Sequence, residues 1–149
     1  MKKTSGLTLM ELTIVMAILV IIAAILVPLF LLSTDRARLR GDIASAHVIQ
    51  NAMELYIVER GHSSVMNGDD VNAIVTRLAA EGYLNPRNVQ IQTRGEGWAA
   101  TWVRQNHSTY GYVIMVDIGG VNVPDAIHQA FASLPANEQQ FVSRGDEDR

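Results

Sequence analysis

With 149 residues, 48% of them hydrophobic and 18% charged, the chain holds one modest domain plus one long apolar element and has no room for two full domains. A formal net charge of −3 supplies no basic field of the kind that marks nucleic acid as the main partner. The lack of any cysteine excludes a disulfide framework, a thiolate metal site, a thiol nucleophile and a covalently attached c-type haem.

Charge placement says more than the total. Lys2 and Lys3 are the only lysines, and every other cationic side chain is an arginine between Arg36 and Arg149. Between the two groups, Leu12 to Leu32 runs for twenty-one residues without a charge, and its only hydroxyl or amide side chain is Thr13. As a helix this run measures about 31 Å, matching a hydrocarbon core of about 30 Å. A removable secretory signal is the competing reading, because Lys2 and Lys3 precede the run. Such signals have apolar stretches of only about 7 to 15 residues, and the nearest small-x-small site, Ala44-Ser45-Ala46, lies beyond the apolar end within a helical pattern. Glu11 stands at the lip of the run, where a carboxylate sunk in lipid without a partner costs up to about 3 kcal/mol. It either marks the water interface or requires a cation or a proton.

Gly6, then Leu7-Thr8-Leu9-Met10-Glu11, then the apolar run, together resemble the class III prepilin signature of type IV pilins and type II secretion pseudopilins: a short basic leader ending in glycine, followed by a Phe-Thr-Leu-Ile-Glu-like stretch. The resemblance covers Lys2 to about Ile57. It implies cleavage by prepilin peptidase after Gly6, N-methylation of Leu7 as the new first residue, and an assembly charge pair between Glu11 and the Leu7 amine of a neighbour. Pro28 falls where many of these proteins have a helix-kinking proline, and inside a helix its missing N–H disrupts the ladder in any case. The sequence departs from the pattern in having Leu7 for the commoner phenylalanine, Met10 for a branched aliphatic, and Ser5 where a basic residue often precedes the glycine. The resemblance further implies a homo- or hetero-polymer with other pilin-like subunits, an inner-membrane assembly platform with a cytoplasmic ATPase, and DNA as a partner only in a competence-type pilus. Before assembly the chain would be a single-pass inner-membrane protein with an extracytoplasmic head, and the filament would lie in the periplasm or at the cell surface. Counting cations does not decide the orientation, because Arg36, Arg38 and Arg40 outnumber Lys2 and Lys3. The leader motif sets the amino terminus in the cytoplasm.

Beyond the apolar run, Ile43, Ala46, Ile49, Ala52, Met53, Tyr56 and Ile57 recur at three- and four-residue spacing, with Arg40, Asp42, Gln50, Glu54 and Arg60 assigned to other faces. The helix is therefore expected to continue as an amphipathic stem from about Thr8 to Arg60, stopped by Gly61. Three segments follow: a leader at 1–6, a transmembrane or assembly helix at 7–34, and a stem and head at 35–149. In the head, Asn67-Gly68-Asp69-Asp70 reads as a loop with an aspartate cap, opening a short helix through Val71, Ile74, Val75 and Leu78 to Gly82. Gly82-Tyr83-Leu84-Asn85-Pro86 is similar to a turn in some pilin and pseudopilin heads. Val89 to Gln92, Trp98 to Val103 and Tyr110 to Ile118 read as three strands, joined by turns at Gly95-Glu96-Gly97 and Gln105-Asn106-His107-Ser108. Pro124-Asp125 opens a short helix through Ile127, Ala130 and Phe131, stopped near Pro135, and the tail from Arg144 reads as frayed. The predicted fold is α+β and pilin-like: a long amino-terminal helix packed on a small antiparallel sheet that buries Trp98, Trp102 or their neighbours.

No chemistry competes with this reading. His47, His62, His107 and His128 have no metal-ligand spacing, and no Gly-x-Ser-x-Gly elbow or phosphate-binding glycine loop occurs. No enzyme activity, no metal and no cofactor are expected. The alternative functions are a single-pass anchored binding module that does not polymerise, with the aromatic strands as its ligand face, and a membrane-tethered hydrolase.

Overall fold

The computed structural model describes residues 8–60, 70–107, 111–120 and 122–145. Helix α1, Leu9–Arg60, is a single element of 52 residues, about 78 Å long at 1.5 Å per residue. α2 (Val71–Ala80), a 3₁₀ turn (Pro86–Asn88), the two-residue strands β1 (Arg94–Gly95) and β2 (Trp98–Ala99), and the longer strands β3 (Thr101–His107) and β4 (Gly111–Asp117) follow. The chain then forms α3 (Asp125–Ala132), α4 (Ala136–Gln139) and β5 (Val142–Ser143). This is the α+β fold expected: a long apolar helix whose second half carries a small sheet head.

The stem half of α1 turns one stripe inward. Leu39, Ile43, Ala46, Ile49, Ala52, Met53 and Tyr56 are buried there, against α2, α3 and β4. Opposite them, Trp102 of β3 and its register partner Val116 of β4 point into the same core with Ile114 and Ile118, which fits the side-chain period of two in strands. Trp102 is thus a core residue, and Trp98 is partly buried against that core, so the aromatic strands form packing surface. α2 ends in a Schellman motif: the Gly82 N–H donates to the Ala79 carbonyl and the Tyr83 N–H to the Leu78 carbonyl. Gly82 supplies the φ of +83° that this motif requires.

Several expectations need correction. The sheet is mixed: β3 and β4 are antiparallel, but β5 lies parallel to β4, and this third strand comes from Val142–Ser143. Val89 to Gln92 is no strand, although Val89 is buried between exposed neighbours as the alternation suggests. The 98–103 stretch is broken at Ala100, so that Trp98–Ala99 pairs with Arg94–Gly95 in a separate hairpin around Gly95-Glu96-Gly97. Gln105, Asn106 and His107 belong to β3, paired with Val113, Tyr112 and Gly111, rather than to a turn. Asp70 occupies the cap position of α2, yet its carboxylate accepts from the Asn72 side chain and makes no capping bond. The rest of that loop, and Gly61, lie outside the described residues. Arg144 is not frayed, since its guanidinium lies 5.5 Å from the Phe131 ring centroid.

Candidate functional site

The candidate site is the first half of α1. Seventeen large apolar side chains between Leu9 and Leu31 are 46% to 79% exposed, and none of the most apolar eighteen-residue window is buried in the protein. At about 1 kcal/mol for the exposed half of each, covering this array is a driving force on the order of 20 kcal/mol. The helix is long and apolar enough to cross a membrane. Its few polar side chains are turned back on their own backbone: the Thr13 hydroxyl donates to the Met10 carbonyl at 2.9 Å and the Thr34 hydroxyl to the Phe30 carbonyl at 3.0 Å. The helix runs on through Pro28, whose ring supplies no N–H to the Ala24 carbonyl. Leu26, Val27, Phe30 and Leu31 line a shallow apolar groove of about 300 Å³ beside it.

At the lip of this helix, Thr8 and Glu11 form a reciprocal capping box. The Thr8 backbone N–H and hydroxyl both donate to Glu11 Oε2 at 2.9 Å, and the Glu11 N–H donates to the Thr8 hydroxyl at 3.2 Å. Two neutral donors for the Glu11 carboxylate are therefore supplied locally, and the positive end of the helix dipole favours the charge at this position. Glu11 Oε1 has no hydrogen-bond partner among the described residues. The Thr-x-x-Glu spacing just before an apolar run was the signal for this cap, and it lies inside the leader-like motif. Gly6 and Leu7, and with them the cleavage site, the methylation site and any pairing of Glu11 with a Leu7 amine, lie outside the described residues.

Past the apolar half, the head is fastened to α1 by polar groups. The Arg36 guanidinium donates to the Ser133 carbonyl at the C-terminal end of α3, a position where a cation complements the helix dipole. Arg40 Nε donates to Glu138 Oε2 of α4 at 2.8 Å. Asp42, assigned from sequence to an outer face, is wholly buried. Its two oxygens accept the backbone N–H groups of Gln92 and Thr93 at 2.7 and 2.8 Å. Gln50, also assigned outward, reaches the sheet: its amide donates to the Tyr112 carbonyl and its oxygen accepts the Ile114 N–H, each at 3.0 Å. The Val116 and Ile118 N–H groups bond Phe141 and Ser143 carbonyls, so Gln50 continues the β5 edge of β4 beyond the point where β5 ends. Asp42 was findable from spacing, since it falls three residues from Leu39 and four from Ala46 on the inward stripe.

His47 packs edge-on against Phe141 with ring centroids 4.3 Å apart. Among the described residues no three His, Asp or Glu side chains converge. Comparison with protein-family models, with curated proteins and with solved structures finds no match to this chain.

Proposed function

We propose that the chain is the precursor of a structural subunit of a type IV pilus or type II secretion pseudopilus, stored in the inner membrane and polymerised through the first half of α1. The observation that carries this reading is the free-standing apolar helix with Glu11 capped at its lip. In lipid, acyl chains cover the array. In a filament, the same surface of neighbouring helices replaces them, and the transfer exchanges one apolar environment for another. Cleavage after Gly6 by prepilin peptidase creates an amine at Leu7, next to the capped end. Thr8 occupies only Oε2 of Glu11, which leaves Oε1 for the Leu7 amine of an adjacent subunit. A charge pair of this kind gains strength in low dielectric, while an uncompensated carboxylate among packed helices is strongly penalised, so register follows from pairing. The subunit performs no catalysis.

Glu11→Gln separates the two roles, because glutamine serves the capping box as well as glutamate but carries no charge. This variant is expected to insert and be cleaved normally and to fail in filament incorporation. Normal filaments from it would sink the charge-pair mechanism. The amino-terminal mass with and without prepilin peptidase tests the class itself: a methylated Leu7 in one case and retained Lys2 and Lys3 in the other. An intact leader in both cases overturns it.

A further inference from the structure

Beside the stem, Arg38, Arg87, Asn88, Gln90, Ile91, Gln92 and Arg94 line a cleft of about 570 Å³, within the ~300–1,000 Å³ range of small-ligand sites. Among the described residues, every polar side chain in that lining is a guanidinium or a carboxamide and none is a carboxylate. Arg38 shares one terminal nitrogen with Asp35 at 3.3 Å. The Arg87 and Arg94 guanidinium groups are exposed and make no ion pair with any described residue. Cations held together in a concavity repel one another and focus a positive field into it.

The walls are built. Asp42 pins the Gln92 and Thr93 backbone to the stem, and the Gln92 carboxamide lies over Gly41. The Asn85 side chain accepts the Arg87 N–H at 3.0 Å and fixes the 3₁₀ turn that presents Arg87.

Depth identifies the ligand, on the reading that α1 spans a membrane. Arg38 stands six residues past Leu32, about 9 Å along the axis, and the headgroup layer beyond the hydrocarbon is about 5–8 Å thick on each side. Helical side chains lean toward the N-terminus, here back toward the lipid, and the long arginine stem covers the remainder. We propose that this cleft binds the phosphodiester headgroup of an anionic phospholipid of the membrane that α1 crosses, with Arg87 and Arg94 forking onto the phosphate oxygens and Arg38 closing the stem side. Guanidinium suits the task because its planar donors match two phosphate oxygens at once.

The test reconstitutes the full chain into nanodiscs of phosphatidylcholine with phosphatidylglycerol and counts retained phosphatidylglycerol by native mass spectrometry. Retention is expected to weaken about fivefold for each of Arg87→Gln and Arg94→Gln, the effect of one basic side chain at an anionic surface. Both residues are exposed, so unchanged circular dichroism melting confirms that each variant folds. Undiminished retention in the double variant overturns the proposal. Displacement of the lipid by an equal concentration of inorganic phosphate assigns the cleft to free phosphate and overturns the lipid source. Alkaline carbonate extraction keeps the two readings apart: wild-type protein stripped from vesicles refutes the spanning helix, whereas embedded protein that retains no phosphatidylglycerol refutes the cleft alone.

Discussion

Replacing Asp42 with alanine removes both acceptors of the Gln92 and Thr93 N–H groups. Thr93 is wholly buried, so its N–H is stranded at a cost of about 1–3 kcal/mol, and the charge-assisted bond to Gln92 is worth about 1.5–3 kcal/mol before water takes its place. These terms sum to about 2.5–6 kcal/mol, and with water taking up part of the Gln92 loss about 3–4 kcal/mol remains, a large part of a typical domain stability of about 5–15 kcal/mol. Asparagine keeps one acceptor and turns an NH₂ toward the other N–H, so about half the loss remains. Urea unfolding of the full chain in detergent, followed by tryptophan fluorescence from buried Trp102, should shift its midpoint down by about 2 M for alanine at a slope of about 2 kcal/mol/M. Asp35→Ala is the control: its pair with Arg38 spans 3.3 Å at the surface and is worth about 0.5 kcal/mol or less. If the two alanine variants melt alike, Asp42 is not holding the 89–93 segment and the account of the cleft wall fails with it.

Three further perturbations address other parts of the head. Thr93→Val keeps the backbone bond but deletes a buried hydroxyl that has no partner among the described residues, so the urea midpoint should rise by about 1 kcal/mol equivalent; a fall would show that the hydroxyl is satisfied. Gly119→Ala would place a Cβ 2.6 Å from the Gly145 backbone. Strand β5 should loosen, and the Ile118 amide, which donates to Ser143, should exchange faster in hydrogen-exchange measurements; unchanged protection would refute the contact. Tyr83 donates its hydroxyl to Glu59, which raises its pKa above the ordinary tyrosine value. A raised folded value contributes stability that is complete below the unfolded value of about 10 and is lost as pH rises through the folded value. Tyrosinate absorbance should therefore show a late-titrating component from Tyr83 that moves earlier in Glu59→Gln, and an unmoved titration would contradict the hydrogen bond.

The helix was legible because its pattern is local. Twenty-one uncharged residues, followed by Ile43, Ala46, Ile49 and Met53 at helical spacing, determine α1 with no knowledge of what packs on it. The strands were legible only where long β-branched runs coincide with a ladder, as in β4. Val89 to Gln92 alternates like a strand, but its N–H partner is a carboxylate fifty residues upstream, and alternation records burial, not which group accepts the hydrogen bond. Gln105 to His107 looks like a turn because its side chains are polar, yet pairing with β4 overrides that composition. β5 has two residues and no period to detect. At the candidate site, Glu11 was visible as an anomaly in an apolar context, while its capping partner Thr8 was hidden in plain spacing. The arginine cleft was not legible, because Arg38 and Arg87 come together only through the tertiary fold.

The two arginine fastenings at the foot of the head each join residues nearly a hundred positions apart: Arg36 to Ser133 and Arg40 to Glu138. A chain made from its amino terminus exposes Arg36 and Arg40 long before their partners exist. During synthesis they are therefore open cations beside a hydrophobic span, the form in which flanking charge opposes passage across a membrane. Once α4 has been made and has folded back, Arg40 is paired with Glu138, and Arg36, still charged, is hydrogen-bonded to the Ser133 carbonyl. On the proposed orientation, with the head beyond the membrane, arginine beside the span is therefore an obstacle chiefly to the nascent chain, before these partners exist.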